Sequence, residues 1–469
     1  MTSAVDADLC VIGGEAAGFT IAAGAGQLGA KTVLIEPGPL GGDQGSLATQ
    51  TLRASANAAW TLQNATTFGL NAVAPANDGK AVFARVRSVL ADVAPLHFRA
   101  RIEGLGVEVI PAPARFIDRR RVEAGGKIVR ARRFVIATGA APIIPTIPGL
   151  AEAGYRMPAT IADLDRMPDH LIVIGGTARG LELAQAFRRL GARVTLLATT
   201  PVLPTDDPEL VDVVRQALIR DGVDLHENVS VARIERQGSG VTAVLGDGER
   251  RIEGSDLLIA VGEAPQFHDL GLAAAGVVHT ASGIAVDGRL RTSNRRMFAV
   301  GASVGGDGTD HLAASHAAVV LRNALFRIPS RLDTRAVPRV TFTTPALAQV
   351  GLNEDEARRQ GVKFRVLRWA LADTDRAQAD GTLDGHVKVV ATPKGRILGA
   401  GIVGPTADEM IGLWTLAIRN RIKLGGVAET IVPYPTLSAA SRHAAGSFVT
   451  PRLFSDRTKS LVRFLARFG

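Results

Sequence analysis

The stretch "ADLCVIGGEAAGFTIAAGAGQLGAKTVLIEP", residues 7–37, constrains the fold more than any other part of the chain. An apolar run, a glycine turn, a small-residue helix and a second apolar run closed by Glu36 read as a βαβ unit. In such a unit the helix N-terminus faces a pyrophosphate and the closing acid holds a ribose hydroxyl. Gly13 and Gly18 hold the first and third glycine places, with Gly14 and Ala17 completing the approach to the phosphates, but Glu15 holds the second. Glycine there lets backbone come close to phosphate; Glu adds a Cβ and a negative charge. The unit recurs in "DHLIVIGGTARGLELAQAFRRLGARVTLLATT", residues 169–200, with Gly175 and Gly180 kept and Thr177 in the second place. Ala198 stands where an NAD site would put an acid, and Thr199 and Thr200 offer no Arg to a 2′-phosphate, so the choice between NADH and NADPH stays open. A Rossmann-like unit that no longer binds a dinucleotide is the alternative for this second copy.

A length of 469 residues allows about three domains, each with its own core. Hydrophobic residues at 46% and charged residues at 21% are ordinary globular values, and the formal charge of +9 suits an anionic partner such as a phosphate-bearing cofactor. No Lys/Arg run with interleaved aromatics argues for nucleic acid, and no apolar run of about 18 residues argues for a membrane span. The expected location is cytoplasmic. Cys10, the single cysteine, lies in the first apolar run and reads as a core residue; the nine histidines show no metal-ligand spacing.

Between and after the two units come "RRFVIATGAAPIIPTIPGL", with Thr138-Gly139 and Pro148-Gly149, "DLLIAVGEAP", "RTSNRRMFAVGASVGG" and "VTFTTPALAQVGLNEDEA". In this order the motifs resemble the FAD-dependent pyridine nucleotide-disulfide oxidoreductases, the superfamily of dihydrolipoamide dehydrogenase, glutathione reductase and mercuric reductase. The resemblance runs from about residue 7 to residue 452. It implies an α/β fold of two Rossmann-like domains, for FAD and NAD(P), and a C-terminal α+β dimerisation domain. The implied boundaries are 1–155 with 276–330 for FAD, 156–275 for the nicotinamide nucleotide, and 335–469 for dimerisation with a basic tail. A homodimer is implied with it.

The same resemblance shows what is missing. Relatives carry a GGxCxxxxC stretch whose disulfide lies against the flavin. Here Gly41 and Gly42 match, Asp43 precedes the first cysteine place, and Gln44 and Thr49 occupy the cysteine positions. Neither an amide nor a hydroxyl replaces a thiolate, so dithiol-disulfide chemistry is excluded. The partner-side His and Glu places are Tyr434 and Ala439. Tyr434 is a packed interface aromatic or a proton donor. Absence of the metal-binding domain and C-terminal cysteine pair of some mercuric reductases sets mercury reduction aside. Arg53 and Glu182 hold the places where relatives pair a Lys and a Glu beside the flavin N5, either to favour charge on reduced flavin or as a plain interdomain salt bridge. The ribityl-binding Asp after Gly301 is Ala302, a loss of about 1.5 to 3 kcal/mol, and Glu15 near a diphosphate adds roughly 1 to 4 kcal/mol.

The tail "SDRTKSLVRFLARFG" alternates Leu461, Val462, Phe464, Leu465 and Phe468 with Arg457, Lys459, Arg463 and Arg467. Docking on its own protein is the expectation, and peripheral contact with an anionic membrane is the alternative. Two functions remain in competition. One is an FAD enzyme moving electrons from NADH or NADPH to a non-thiol acceptor such as a quinone, oxygen, a metal ion or another nucleotide. The other is a non-catalytic relative acting through protein partners.

Overall fold

The computed structural model describes residues 4–41, 44–74, 78–94, 99–238, 240–246, 248–306 and 310–468. Strand β1 (Ala4–Ile12), helix α1 (Ala16–Gln27) and strand β2 (Thr32–Ile35) form the first βαβ unit. β1 lies parallel between β2 and the strand Lys127–Ile136, with Cys10 opposite both Val33 and Phe134. Strands with helices over both faces need apolar side chains on both, which is why residues 9–12 form a continuous apolar run. Leu9, Cys10 and Val11 are fully buried. Val107–Ile110 extends the sheet beyond β2, and Met297–Ala299, far along the chain, joins the Lys127–Ile136 strand at Phe134–Ile136. The register sets Ile12, Ile35, Ile136 and Ala299 at one edge, so the loops leaving these strands converge.

A second parallel sheet runs Asp224–His226, Arg193–Leu197, His170–Ile174 and Asp256–Ile259, with the crossover helix Ala178–Arg189 packed on it. The third layer is a five-stranded antiparallel sheet that starts at Pro338–Thr341 and is covered by helices Ala407–Arg419 and Ser438–Gly446. Between these helices the buried Trp414 indole N–H donates to Ser441 Oγ at 3.0 Å. The architecture is the α/β arrangement expected, with two Rossmann-like sheets and a C-terminal α+β unit.

Helix α2 (Gln44–Gln63) packs on the second crossover helix, and both clasp residues 342–345 at the entrance to the third layer. Gln185 Oε1 accepts from the Thr344 amide at 2.7 Å, while its Nε2 donates to the Thr344 carbonyl at 2.7 Å. Arg189, nearly buried, pairs with Asp221 at 2.7 Å, donates to Asn57 of α2 at 2.8 Å and stacks on Trp60. A second clasp joins the middle and third layers. The Lys388 ammonium, 5% exposed, lies 2.8 Å from Asp207, 2.9 Å from Glu209 and 3.1 Å from Glu354. Arg368, hydrogen-bonded to Glu209, holds that carboxyl down to about 2.

The tail helix, Asp456–Leu465, departs from expectation. Among the described residues nothing of this chain covers its apolar side: Leu461, Val462, Phe464, Leu465 and Phe468 are 53% to 74% exposed. The Ser455 hydroxyl, accepting from the Thr458 amide, caps it. Among the described residues its ring contact is Phe464 against Phe468, within the tail.

Removing one member of a buried ion cluster strands the others without compensation. Lys388→Met is therefore expected to lower stability by about 3 to 5 kcal/mol, read from the denaturant midpoint. Adding Asp207→Asn, which neutralises the most buried carboxylate, should recover part of the loss.

Candidate functional site

The first nucleotide turn is built by close backbone approach. Gly13 has φ +103, and a Cβ on it would overlap the Ala137 carbonyl; a Cβ on Gly18 would overlap the Gly13 carbonyl. Bulkier residues would push the β1 turn away from the Lys127–Ile136 strand or α1 away from the turn. Glu36, at the end of β2, accepts from the Gly14 amide at 2.6 Å and the Gly38 amide at 2.7 Å, and the Gly41 amide closes on the Gly14 carbonyl at 2.8 Å. The Thr138-Gly139 turn is tied to the 263–266 segment: the Thr138 hydroxyl donates to the Gln266 carbonyl, and the Gln266 amide donates to Gly139 at 3.0 Å. Gly301 has φ +64, and Ala17 Cβ lies 3.6 Å from the place its Cβ would take. Gly13, Gly14, Glu15, Ala17, Gly18, Glu36, Gly41, Thr138, Gly139, Gly301 and Ala302 thus gather around the N-terminus of α1. Gly42, Asp43 and the Gln44 side chain lie outside the described residues.

Glu15 is the exception to this cradle. It stands at the N-cap of α1 without capping the helix through its side chain, and its carboxylate folds over Gly139 so closely that a Cβ there would overlap it. That carboxylate occupies the ground between two glycine turns and a helix N-terminus, where backbone N–H groups and the helix dipole favour an anion. A diphosphate needs it turned aside.

His316 was not singled out by its sequence context. Its Nδ1 accepts from the Gly301 amide at 3.0 Å, so it carries an N–H on Nε2 and pins the Gly301-Ala302 turn to the helix Asp310–Ala324. Burial lowers its pKa, which keeps the accepting form. No local pattern marks a His at that spacing, because the pairing crosses fifteen residues between a turn and a helix.

In the second unit Gly175, with φ +126, would overlap the Ala260 carbonyl if it carried a Cβ, and Gly180 approaches the Gly175 carbonyl in the same way. Thr177 does different work from the glycine it replaces. Its hydroxyl donates to the Ala260 carbonyl at 2.7 Å and accepts from the Gly180 amide at 3.3 Å, capping the crossover helix. This occupies one of the helix's first amides.

Between the units lie Arg53 on α2 and Glu182 on the crossover helix. They are near enough for their charges to interact, but they form no ion pair among the described residues. Phe342 mediates instead: its amide donates to Glu182 Oε1 at 2.8 Å, and its ring lies 5.3 Å beneath the Arg53 guanidinium. The simple Lys–Glu pairing expected from the resemblance is therefore replaced by a three-residue arrangement. Burial pushes the Glu182 carboxyl up to about 7, against the Phe342 hydrogen bond and the charges of Arg179 and Arg53. Arg53 Nε is buried with no acceptor among the described residues. A donor left so is costly, and a ring acceptor laid beside α2 would satisfy it. Thr49, one turn earlier, is buried and donates its hydroxyl to Gly45 of its own helix at 2.8 Å, so it fills space. Tyr434 lies elsewhere on this chain, 79% exposed, with its hydroxyl donating to Asp375 at 2.6 Å.

Residues 7–319 match the pyridine nucleotide-disulphide oxidoreductase family, and residues 337–445 match its dimerisation domain. The chain belongs to this family. It is 32% identical to a mercuric reductase of Streptomyces lividans, covering 94% of this chain and 96% of that protein. It is 31% identical to a dihydrolipoyl dehydrogenase of Chlorobaculum tepidum, over 95% of this chain and 97% of that protein. Among solved structures, LpdA of Mycobacterium tuberculosis superposes with a TM-score of 0.84 at 28% identity, covering 96% of this chain and all of that one. The HOCl-induced flavoprotein disulfide reductase RclA of Escherichia coli superposes at 0.83 with 25% identity, over 94% of this chain and 99% of that one. Family membership makes FAD and a nicotinamide dinucleotide the cofactors. The Glu36 end, the glycine turns and Arg53 Nε, without an acceptor among the described residues, fit FAD, and the Glu15 carboxylate stands in its way. No metal-binding group of three or more ligating residues occurs among the described residues.

Two outcomes are expected. Glu15→Gly should tighten FAD binding to the apoprotein by about 1 to 4 kcal/mol, read by quenching of flavin fluorescence. Glu182 binds a proton in the folded state up to about pH 7 but in the unfolded state only to its ordinary value of 4.5. The stability it confers is complete below pH 4.5 and is lost as pH rises through 7, a swing of about 3 kcal/mol. Glu182→Gln keeps the acceptor for the Phe342 amide, so its unfolding midpoint should fall less than wild type's between pH 5 and pH 8.

Proposed function

We propose that the protein is a homodimeric FAD-dependent oxidoreductase that takes hydride from NADH or NADPH and delivers electrons to a non-thiol acceptor. The carrying observation is that Arg53 and Glu182 set a cation and a raised-pKa carboxyl side by side, joined through Phe342, where thiol chemistry cannot operate. The sole cysteine, Cys10, is buried in β1, where burial pushes its thiol pKa far up. The second relay position is Thr49, packed in α2. The three sheets support division into 1–155 with 276–330, 156–275 and 335–469 as FAD, nicotinamide and dimerisation domains.

When bound, FAD supplies a ring able to accept hydride and release electrons singly or in pairs. Gly13, Gly14, Gly18, Thr138, Gly139 and Gly301 would hold its diphosphate and ribityl stretch, and Glu36 its ribose. Gly175 and Gly180 would receive the nicotinamide dinucleotide. Arg53, set on Phe342, presents a fixed cation and an N–H without an acceptor among the described residues beside the ring's expected place, favouring negative charge there. Glu182, its carboxyl pushed up to about 7 by burial, can hold or release a proton close by near neutral pH. The Tyr434 hydroxyl is engaged by Asp375, which supports an interface role over proton donation.

The exposed tail helix extends this reading. Its apolar residues and Arg457, Lys459, Arg463 and Arg467 suit the surface of an anionic bilayer, which would bring the enzyme to a lipid-soluble acceptor such as a quinone. One observation favours the non-catalytic reading: the Glu15 carboxylate in the diphosphate cradle.

The visible spectrum of purified protein, before and after anaerobic NADH and NADPH, decides between the two. A flavin spectrum bleached by either nucleotide and restored by a quinone, oxygen or a metal ion is expected. A colourless protein that FAD cannot reconstitute overturns the enzymatic reading. Removing residues 456–469 should abolish flotation with anionic vesicles and leave the spectrum unchanged.

A further inference from the structure

At the edge of the first sheet opposite the glycine turns, Arg291, Arg296 and Arg327 come near enough to Arg133 for their charges to act on it. Arg133 lies on the Lys127–Ile136 strand, just before its pairing with Met297–Ala299, and the Phe134 amide donates to the Arg296 carbonyl at 3.0 Å. Arg291 bridges to Phe298 and lays its guanidinium 5.9 Å over that ring. Arg327 follows the helix Asp310–Ala324. Burial first, then the charges of Arg296, Arg291 and Arg327, hold the Arg133 guanidinium below its ordinary range.

None of the four forms an ion pair among the described residues. The neighbouring carboxylates are engaged: Asp6 with Arg130, Asp8 with Arg132, and Asp287 with the amides of Arg289 and Arg291. Arg291 Nε is in addition buried with no acceptor among the described residues. Chains normally intersperse charges of both signs or turn like charges outward; here like charges converge, and a buried donor among them lacks a partner. Guanidinium forks match phosphate oxygens two at a time, and converging cations favour a ligand of two or more negative charges.

We infer that Arg133, Arg291, Arg296 and Arg327 form a binding site for a phosphate-bearing anion, separate from both nucleotide turns. The strand from Arg133 to Ile136 puts roughly 10 Å of sheet between this site and the glycine-turn edge. The ligand chemistry is a phosphate dianion or diphosphate, free in solution or as the headgroup of a lipid.

The test uses full-length protein saturated with FAD, so that the first nucleotide turn is filled, and titrates it calorimetrically with inorganic diphosphate at fixed ionic strength. A parallel arm uses phosphatidic acid vesicles with protein lacking residues 456–469. Arg133→Gln with Arg296→Gln is the main variant; Arg327→Gln, at an exposed position, is the one least able to disturb folding. Saturable diphosphate binding, weakened about tenfold or more in the double variant and less in Arg327→Gln, is the expected result and identifies a free ligand. Vesicle binding lost in the double variant, with no diphosphate binding, identifies a headgroup. Without ligand the double variant should melt no lower than wild type, because it relieves repulsion. The proposal is overturned if neither probe binds, if the variants bind like wild type, or if chloride at equal ionic strength reproduces the effect.

Discussion

Helix α2, the second crossover helix and the 342–345 segment meet at one junction, and the arrangement of the three sheets depends on it. The segment is irregular backbone entering a buried place, so its amides and carbonyls need partners. Gln185 and Glu182, one turn apart on the crossover helix, supply them, and Arg189 ties the same helix to Asn57 and Trp60 on α2. These polar contacts bind elements separated by more than a hundred residues. They also set Arg53 above Phe342, so the contact that joins the layers is the one that shapes the candidate hydride site.

The two nucleotide turns show how one backbone solution takes different side chains. In both, a glycine with positive φ lets the turn lie against a neighbouring strand's carbonyl, and another lets the helix start close to the turn. The position between them is free to vary because it does not carry that packing. In the second copy Thr177 turns inward and caps the helix; in the first, Glu15 turns toward Gly139. A side-chain oxygen at this place and a bound anion seek the same helix-end N–H groups, so the residue between the two glycines bears directly on anion binding there.

Charge in this molecule is distributed by consequence. Buried carboxylates are either clasped, as Asp207 is by Lys388, or pushed by burial toward holding a proton, as Glu182 is, up to about pH 7. Part of the cationic excess lies on the tail helix, where Asp456 lies 3.7 Å from Lys459, and beside Arg133, where none of the four arginines forms an ion pair among the described residues. Removing counter-charges at such places lowers stability slightly and leaves a field that draws anions.

The sequence by itself determined the two Rossmann-like units, the C-terminal layer and the loss of thiol chemistry. These rest on local periodicity, on glycines whose spacing is dictated by backbone geometry, and on cysteines that are absent. It also identified Arg53 and Glu182 as neighbours and Cys10 as core. Only the tertiary structure decided how those neighbours meet, because Phe342, 160 residues beyond Glu182, comes between them. The same holds for His316 under Gly301 and for the arginines around Arg133, whose partners are distant in the chain. The tail illustrates the limit from the other side: its amphipathic pattern predicts an apolar face, but whether that face is covered depends on whether the rest of the chain offers a matching surface. Among the described residues nothing covers it.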